Sequence, residues 1–161
     1  MSDSQQVGGV PRALLRIPVP WVFVLAYLVG AGLEAVFHLG RRIEYRDLTQ
    51  AGSAVFVIGA VLAAWGWLLF QRAGTTRVPG ETSTALVMRG PYRFTRNPMY
   101  LGLSVAYAGE AGILHQIIPV ILLPLTVAYL NRVVIPVEEK RLRAVFGAEY
   151  ERYANRVRRW L

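Results

Sequence analysis

Four apolar stretches divide the chain, and its charged residues gather between and after them. The first runs from Ile17 to about Leu39 and includes Trp21-Val-Phe-Val-Leu-Ala-Tyr-Leu-Val; the second covers Ala51 to Phe70. Each holds the roughly 20 residues that a helix needs to cross about 30 Å of hydrocarbon. A third segment, Pro98 to Leu114, is short for a span and carries Glu110 within it. A fourth, Ile117 to Val137, is interrupted by Pro119 and Pro124. A turn at His115-Gln116 makes the last two a helical hairpin, with Pro98 in a first turn where its missing N–H costs nothing. Gly52, Gly59, Ala60, Ala63, Ala64 and Gly66 give the second segment small residues for close helix contact, and that face could also receive a partner molecule.

The polar segments have their own patterns. Met1 to Gly9 is polar and glycine-containing and reads as disordered, within a tail of residues 1–16 that precedes a single membrane domain, 17–161. Arg12 and Arg16 before the first span could suggest a secretion signal. No small-residue cleavage site follows cleanly and further spans come after, so the segment reads as a retained anchor. Glu34 and His38, near the far end of that span, are expected at the interface. The connection Gln71 to Asn97 contains Gly74, Pro79, Gly80, Gly90 and Pro91, too many breakers for a helix throughout. From Glu138 to Leu161, Leu142, Val145, Phe146, Tyr150, Tyr153, Val157 and Trp160 recur at spacings of three or four with basic residues between them. This is an amphipathic, interface-lying pattern, two helices broken at Gly147.

Composition sharpens this picture. The chain has 161 residues, enough for one domain, and is 54% hydrophobic. Its mean hydropathy of +0.36 is too high for a routine soluble domain of this size, so the fold class expected is an all-α integral membrane protein with about four transmembrane helices and amphipathic C-terminal helices. The net charge of +8 belongs to the loops and the tail. With four spans, one side carries Arg12 and Arg16, five arginines of the long connection and seven basic residues of the tail; the other carries Arg41, Arg42 and Arg46. The positive-inside bias puts the richer side in the cytoplasm of an inner or plasma membrane. Anionic lipid headgroups explain these arginines, so the lipid bilayer is the expected partner and nucleic acid is not. The chain has no cysteine, which excludes disulfides, thiolate catalysis and Cys-based metal sites. The two histidines, His38 and His115, lie in different loops or helix ends, and no metal site is expected.

Candidate chemistry concentrates in two places on the cytoplasmic side. Met88-Arg-Gly-Pro-Tyr-Arg-Phe-Thr-Arg-Asn-Pro-Met-Tyr-Leu-Gly102 packs Arg, Gly, Pro, Tyr and Asn between apolar stretches. Irregular polar backbone is tolerated beside lipid only where it is buried in protein or lines a cavity. The second place is Glu138-Glu139, with Arg132 six residues before the first glutamate. Hairpin geometry brings the start of segment three to the end of segment four, so a cationic, aromatic cluster faces two carboxylates. Such a pocket suits a zwitterion: carboxylates for an ammonium or sulfonium, arginines and backbone N–H groups for a carboxylate.

Gly90-Pro-Tyr-Arg-Phe-Thr-Arg-Asn-Pro-Met-Tyr-Leu-Gly102, then Glu138-Glu139, then Phe146-Gly147-Ala-Glu149-Tyr150-Glu-Arg-Tyr153 resembles the integral-membrane methyltransferases of the isoprenylcysteine carboxyl methyltransferase and phospholipid methyltransferase superfamily. The resemblance covers roughly Thr75 to the C-terminus. It implies a helical membrane enzyme that uses S-adenosylmethionine and releases S-adenosylhomocysteine, acting on a membrane-embedded or amphiphilic carboxylate, amine or thiol by in-line displacement. By motif match, Gly90, Pro91, Tyr92, Arg96, Asn97, Pro98, Tyr100 and Leu101 would line the cofactor pocket, with Glu138 and Glu139 completing it. The family usually has His where this chain has Asn97, so a proton-shuttling imidazole is lost there. In carboxyl-methylating members an arginine just before the glutamates meets the substrate carboxylate; Arg132 is the nearest candidate, and Glu139 its catalytic companion.

Plainer readings compete with each assignment. Arg89, Arg93 and Arg96 could snorkel to phosphates, and Glu138-Glu139 could open a helix favoured by its dipole. Glu110 is expected at the far interface rather than in catalysis, and the tail's aromatic stripe in packing and membrane contact. The rival of a different class is a non-catalytic membrane accessory module that keeps the scaffold without the reaction.

Overall fold

The computed structural model describes residues 6–7, 10–11, 18–37, 46–73 and 85–161. The helices are α1 (Val19–Phe37), α2 (Arg46–Arg72), α3 (Pro98–Ile113), α4 (Ile117–Tyr129), α5 (Ile135–Phe146) and α6 (Ala148–Arg156). A 3-10 turn occupies Gly90–Arg93, and a π-helical segment, Leu130–Val134, joins α4 to α5. In the tail that reads as disordered, Gln6–Val7 pairs antiparallel with Val10–Pro11 over two residues per strand. Arg12, Arg16, His38, Arg41, Arg42 and Arg77, and the breakers Gly74, Pro79 and Gly80, lie outside the described residues.

The chain is an all-α membrane protein. Val19–Phe37, Arg46–Arg72 and Ile118–Phe146 are long and apolar enough to cross a bilayer. Leu28, Val36, Val57, Ile58, Val61 and Ile121 on these helices are each more than half exposed, a belt of apolar surface that suits lipid rather than water. The short third segment is α3, 16 residues long; at about 1.5 Å per residue it spans roughly 24 Å.

Two boundaries differ from the sequence expectation. The second helix extends past 51–70 at both ends. The fourth does not stop at Val137, and no separate tail helix begins at Glu138: helix runs unbroken from Ile117 through the π segment to Phe146. The π segment supplies the reason. Proline lacks an N–H and its ring crowds the carbonyl four residues back. For Pro136 that carbonyl is Arg132's, inside the widened turn where the Ile135 N–H reaches Leu130 O instead. Gly147 does end α5 as expected, at φ +50°.

Glycines set the central helix pair. Gly52, Gly59 and Gly66 fall seven residues apart on one face of α2, as Gly102 and Gly109 do on α3. The helices run antiparallel, with Gly59 against Gly102 and Ala106, and Gly66 against Met99. A Cβ on Gly52 would lie 2.7 Å from the Ile113 nitrogen, and one on Gly59 would overlap the Ala106 backbone. Between helices in lipid, close packing replaces the hydrophobic drive. These glycines, which could have received a partner, are therefore taken by α3 of the same chain.

The far end of the bundle is pinned by polar contacts. Glu34, near the end of α1, is buried within the protein: it is 4% exposed and accepts the Ile117 and Ile118 N–H groups at 2.9 and 3.0 Å. Those are orphan donors at the start of α4, so a carboxylate from α1 caps a neighbouring helix. Tyr27 donates to Gln116 at 2.8 Å, and Thr49 meets His115 at 3.0 Å. Toward the other end, Val19, Phe23, Tyr100, Tyr107, Leu130 and Ile135 form the apolar core. That leaves the start of α3, the end of α2 and α5 together at the opposite end.

Backbone contact between α2 and α3 predicts a contrast between two glycines. Gly59→Ala should lower stability in detergent by about 1–3 kcal/mol through overpacking. Gly32→Ala, where nothing lies within 4 Å of the added carbon, should be neutral or stabilise α1 by up to about 1 kcal/mol. Thermal unfolding followed by tryptophan fluorescence reads both; equal melting temperatures would sink the close-contact account.

Candidate functional site

Two tight turns build the site. Gly90 enters the 3-10 turn at φ +59°, and a side chain there would strike Leu69 Cδ1 at 2.8 Å. Pro91 follows in the first turn of that helix, and Tyr92 is buried between the end of α2 and α6. Its ring stands edge-on to Phe70 with centroids 5.2 Å apart, and its carbonyl accepts the Tyr153 hydroxyl at 2.8 Å. Gly147 folds α6 back over α5, which buries Tyr150 and Tyr153.

Between these turns lies a cleft of about 430 Å³, the part open to solvent included. Tyr92, Arg96 and Asn97 form one wall, Glu138, Glu139 and Leu142 of α5 another, and Tyr150 and Tyr153 of α6 close it. The two glutamates differ sharply in their surroundings. Glu138 accepts the Tyr100 hydroxyl at 2.5 Å, and no cation among the described residues comes within 4 Å of it. Glu139, 6% exposed, meets three arginines: Arg159 at 2.7 Å, Arg96 at 3.4 Å and Arg143 at 3.9 Å. Arg143 also pairs with exposed Glu151 at 2.7 Å. The hydrogen bond to Glu139 raises the pKa of the Arg159 guanidinium against the lowering effect of burial. The cleft therefore offers one carboxylate without a described counter-ion beside an arginine-rich wall, an arrangement that suits a ligand carrying both charges.

Of the residues singled out in the sequence, Tyr92, Arg96, Asn97, Glu138 and Glu139 come together on the cleft walls. Tyr100 reaches the site through Glu138. Gly90, Pro91 and Pro98 shape the turns, and Leu101 lies on α3 away from the walls. Arg132 is exposed on the π segment and is not a wall residue. Glu110 sits three residues before the end of α3, away from the cleft. Asn97 is 4% exposed and donates from Nδ2 to the Arg159 carbonyl at 3.0 Å, so it works as a strut.

Sequence reading missed four contributors. Tyr150 and Tyr153 belong to the aromatic stripe expected in packing and membrane contact; their periodicity marks a face but not what that face meets. Asn131 accepts from Arg159 at 3.2 Å and from Trp160 at 3.1 Å. Arg159 itself is one of seven basic residues in the tail, and nothing local distinguishes it.

The phospholipid methyltransferase family model matches residues 48–149. Two curated proteins of rice, "Probable protein-S-isoprenylcysteine O-methyltransferase" of Oryza sativa subsp. indica and of subsp. japonica, are each 30% identical over 151 residues, covering 92% of this chain and 79% of theirs. "Protein-S-isoprenylcysteine O-methyltransferase B" of Arabidopsis thaliana is 28% identical over 138 residues, covering 84% of this chain and 68% of its own. No solved structure matches.

The tyrosine on the back wall makes the site sensitive to alkali. Burial raises the Tyr150 pKa above its ordinary 10.0, with the Glu139 charge adding to the shift and Arg96 and Arg143 opposing it. A folded pKa above the unfolded one gives stability that is full below the unfolded value and is lost as pH rises through the folded value. Melting temperature should fall as pH rises above about 10, and fall less steeply in Tyr150→Phe. Parallel curves for the two proteins would contradict this placement of the hydroxyl.

Proposed function

This chain belongs to the phospholipid methyltransferase family, and from that premise we propose that it transfers a methyl group from S-adenosylmethionine to an amphiphilic carboxylate at the cleft between the Gly90–Asn97 connection and α5. The observation that carries this reading is the asymmetry of the glutamates: among the described residues Glu138 lines the cleft with a tyrosine hydroxyl as its one hydrogen-bond partner, while Arg96 stands on the facing wall. A donor set of one available carboxylate, an arginine and buried tyrosine rings fits a zwitterion with a flat, aromatic end. When bound, S-adenosylmethionine supplies a methyl group already activated by its sulfonium.

The chain's own residues then have positioning work rather than proton chemistry. Glu138 takes the cationic end of the ligand, and the Tyr100 hydroxyl fixes which way that carboxylate turns. Tyr92, Tyr150 and Tyr153 exclude water, which strengthens the charge contacts. Glu139 holds Arg96 toward the cleft. Gly90, Pro91 and Pro98 set the backbone that carries this wall. A carboxylate nucleophile arrives ionised and needs no base, so alignment at about 3 Å supplies most of the effect. Oxygen as the nucleophile follows the printed names of the relatives, which are O-methyltransferases. We assign Arg132, exposed on the π segment, to an anionic group on the substrate. The cleft opens to the cytoplasm, the side richer in arginine, and the substrate enters from the bilayer.

Calorimetric titration of the detergent-solubilised protein with S-adenosylhomocysteine tests this reading. Binding near micromolar is expected. Glu138→Gln should weaken it about tenfold to a hundredfold, the value of a hydrogen bond to a charged group, and Tyr100→Phe by less. A folded wild-type protein that does not bind, or a Glu138→Gln protein that binds like the wild type, would overturn the assignment.

A further inference from the structure

After α6 the chain turns extended at Val157, φ −119° and ψ 128°, and residues beyond it run back against the connection, the π segment and α5. This strap is fastened at three places. Its backbone carbonyls meet the connection: Arg158 O accepts the Arg96 N–H at 2.9 Å, and Arg159 O accepts Thr95 Oγ1 at 3.1 Å and Asn97 Nδ2 at 3.0 Å. Its side chains meet the π segment, where Asn131 Oδ1 accepts from both Arg159 and Trp160. Arg159 then forks onto α5, Nε to Glu139 Oε1 at 3.0 Å and Nη2 to Oε2 at 2.7 Å.

That fork has a consequence for its neighbour in the sequence. A two-point guanidinium–carboxylate contact fixes the plane of the carboxylate as well as its position, which a single-point cation cannot do. Glu139 is 6% exposed and has both oxygens engaged, and the arginines around it already outnumber it. A further cation from a ligand would meet repulsion there. Glu138, one residue earlier on the same helix, has no such company among the described residues.

We propose that Arg159 is a positioning residue of the cleft: by taking both oxygens of Glu139 it holds that carboxylate and Arg96 in place, and leaves Glu138 to meet the ligand's cationic end. The proposal rests on the zwitterion reading given above and adds to it a residue from a segment outside every motif that carried the resemblance. Arg159 does not touch the ligand; it acts through Glu139.

A double-mutant cycle on S-adenosylhomocysteine affinity tests this, using Arg159→Ala, Glu139→Gln and the double variant in the full chain. Each single change should weaken binding about tenfold, and the double variant should bind within about threefold of either single one, because both remove the same link. A merely structural strap would give losses that multiply, and that outcome overturns the proposal. Arg159→Lys keeps the charge and loses the fork; folded protein is expected to bind about threefold to tenfold more weakly, and wild-type affinity would overturn the proposal. Arg156→Ala, an exposed cation on α6, should bind like the wild type; an equal loss there would reduce the effect to net charge and overturn the proposal too. Failure of the wild-type protein to bind removes the zwitterion reading and this inference with it, whereas wild-type binding with multiplying losses removes the inference alone.

Discussion

Glu139 keeps a charged carboxylate where it is 6% exposed, and burying such an ion costs several kcal/mol unless cations and donors surround it. The surroundings come from the connection before α3 (Arg96), from one turn further along α5 (Arg143) and from the strap after α6 (Arg159). Segments far apart in sequence thus converge on one group. Removing Glu139 would leave mutually repelling arginines at the base of the cleft, and removing the arginines would strand the carboxylate. The geometry of Glu138, Asn97 and Tyr150 follows from where this cluster sits.

The membrane half of the molecule places the cluster. Glycines seven residues apart let α2 and α3 touch backbone to backbone, so the end of α2 and the start of α3 meet at a fixed height. Glu34 caps α4 from α1 at the opposite end, which sets where the long α4–α5 helix begins. Its π turn, between Leu130 and Val134, accommodates Pro136 and presents Asn131 to the strap. The widened turn therefore becomes an anchoring point for the strap. The polar residues at the far end of the bundle act as caps and ties, and the cleft lies at the other end.

Much of this was legible before the structure, for local reasons. Apolar runs of the right length marked α1 and α2, Pro98 marked the start of α3, and Gly147 marked the break before α6. The order Gly90-Pro-Tyr, Asn97-Pro-Met-Tyr and Glu138-Glu139 pointed to the family to which the chain belongs. What escaped reading depends on long-range contact. Glu34 gives no local sign of its capping role because its partners, two backbone N–H groups of α4, are about eighty residues away. Asn97 looks like the loss of an imidazole, yet its amide is a donor to a carbonyl 62 residues on. Tyr150 and Tyr153 sit on a helical stripe, and a stripe does not say whether it faces lipid or a cleft.

We propose that the methyl donor sits between the connection and α5–α6. Ultraviolet irradiation of the solubilised protein with methyl-labelled S-adenosylmethionine, followed by peptide mapping, tests it most directly. The account predicts label on peptides that contain Tyr92 and on those that contain Tyr150 or Tyr153, displaced by excess S-adenosylhomocysteine. Label confined to α1 or α2, or label that excess S-adenosylhomocysteine leaves in place, would contradict it.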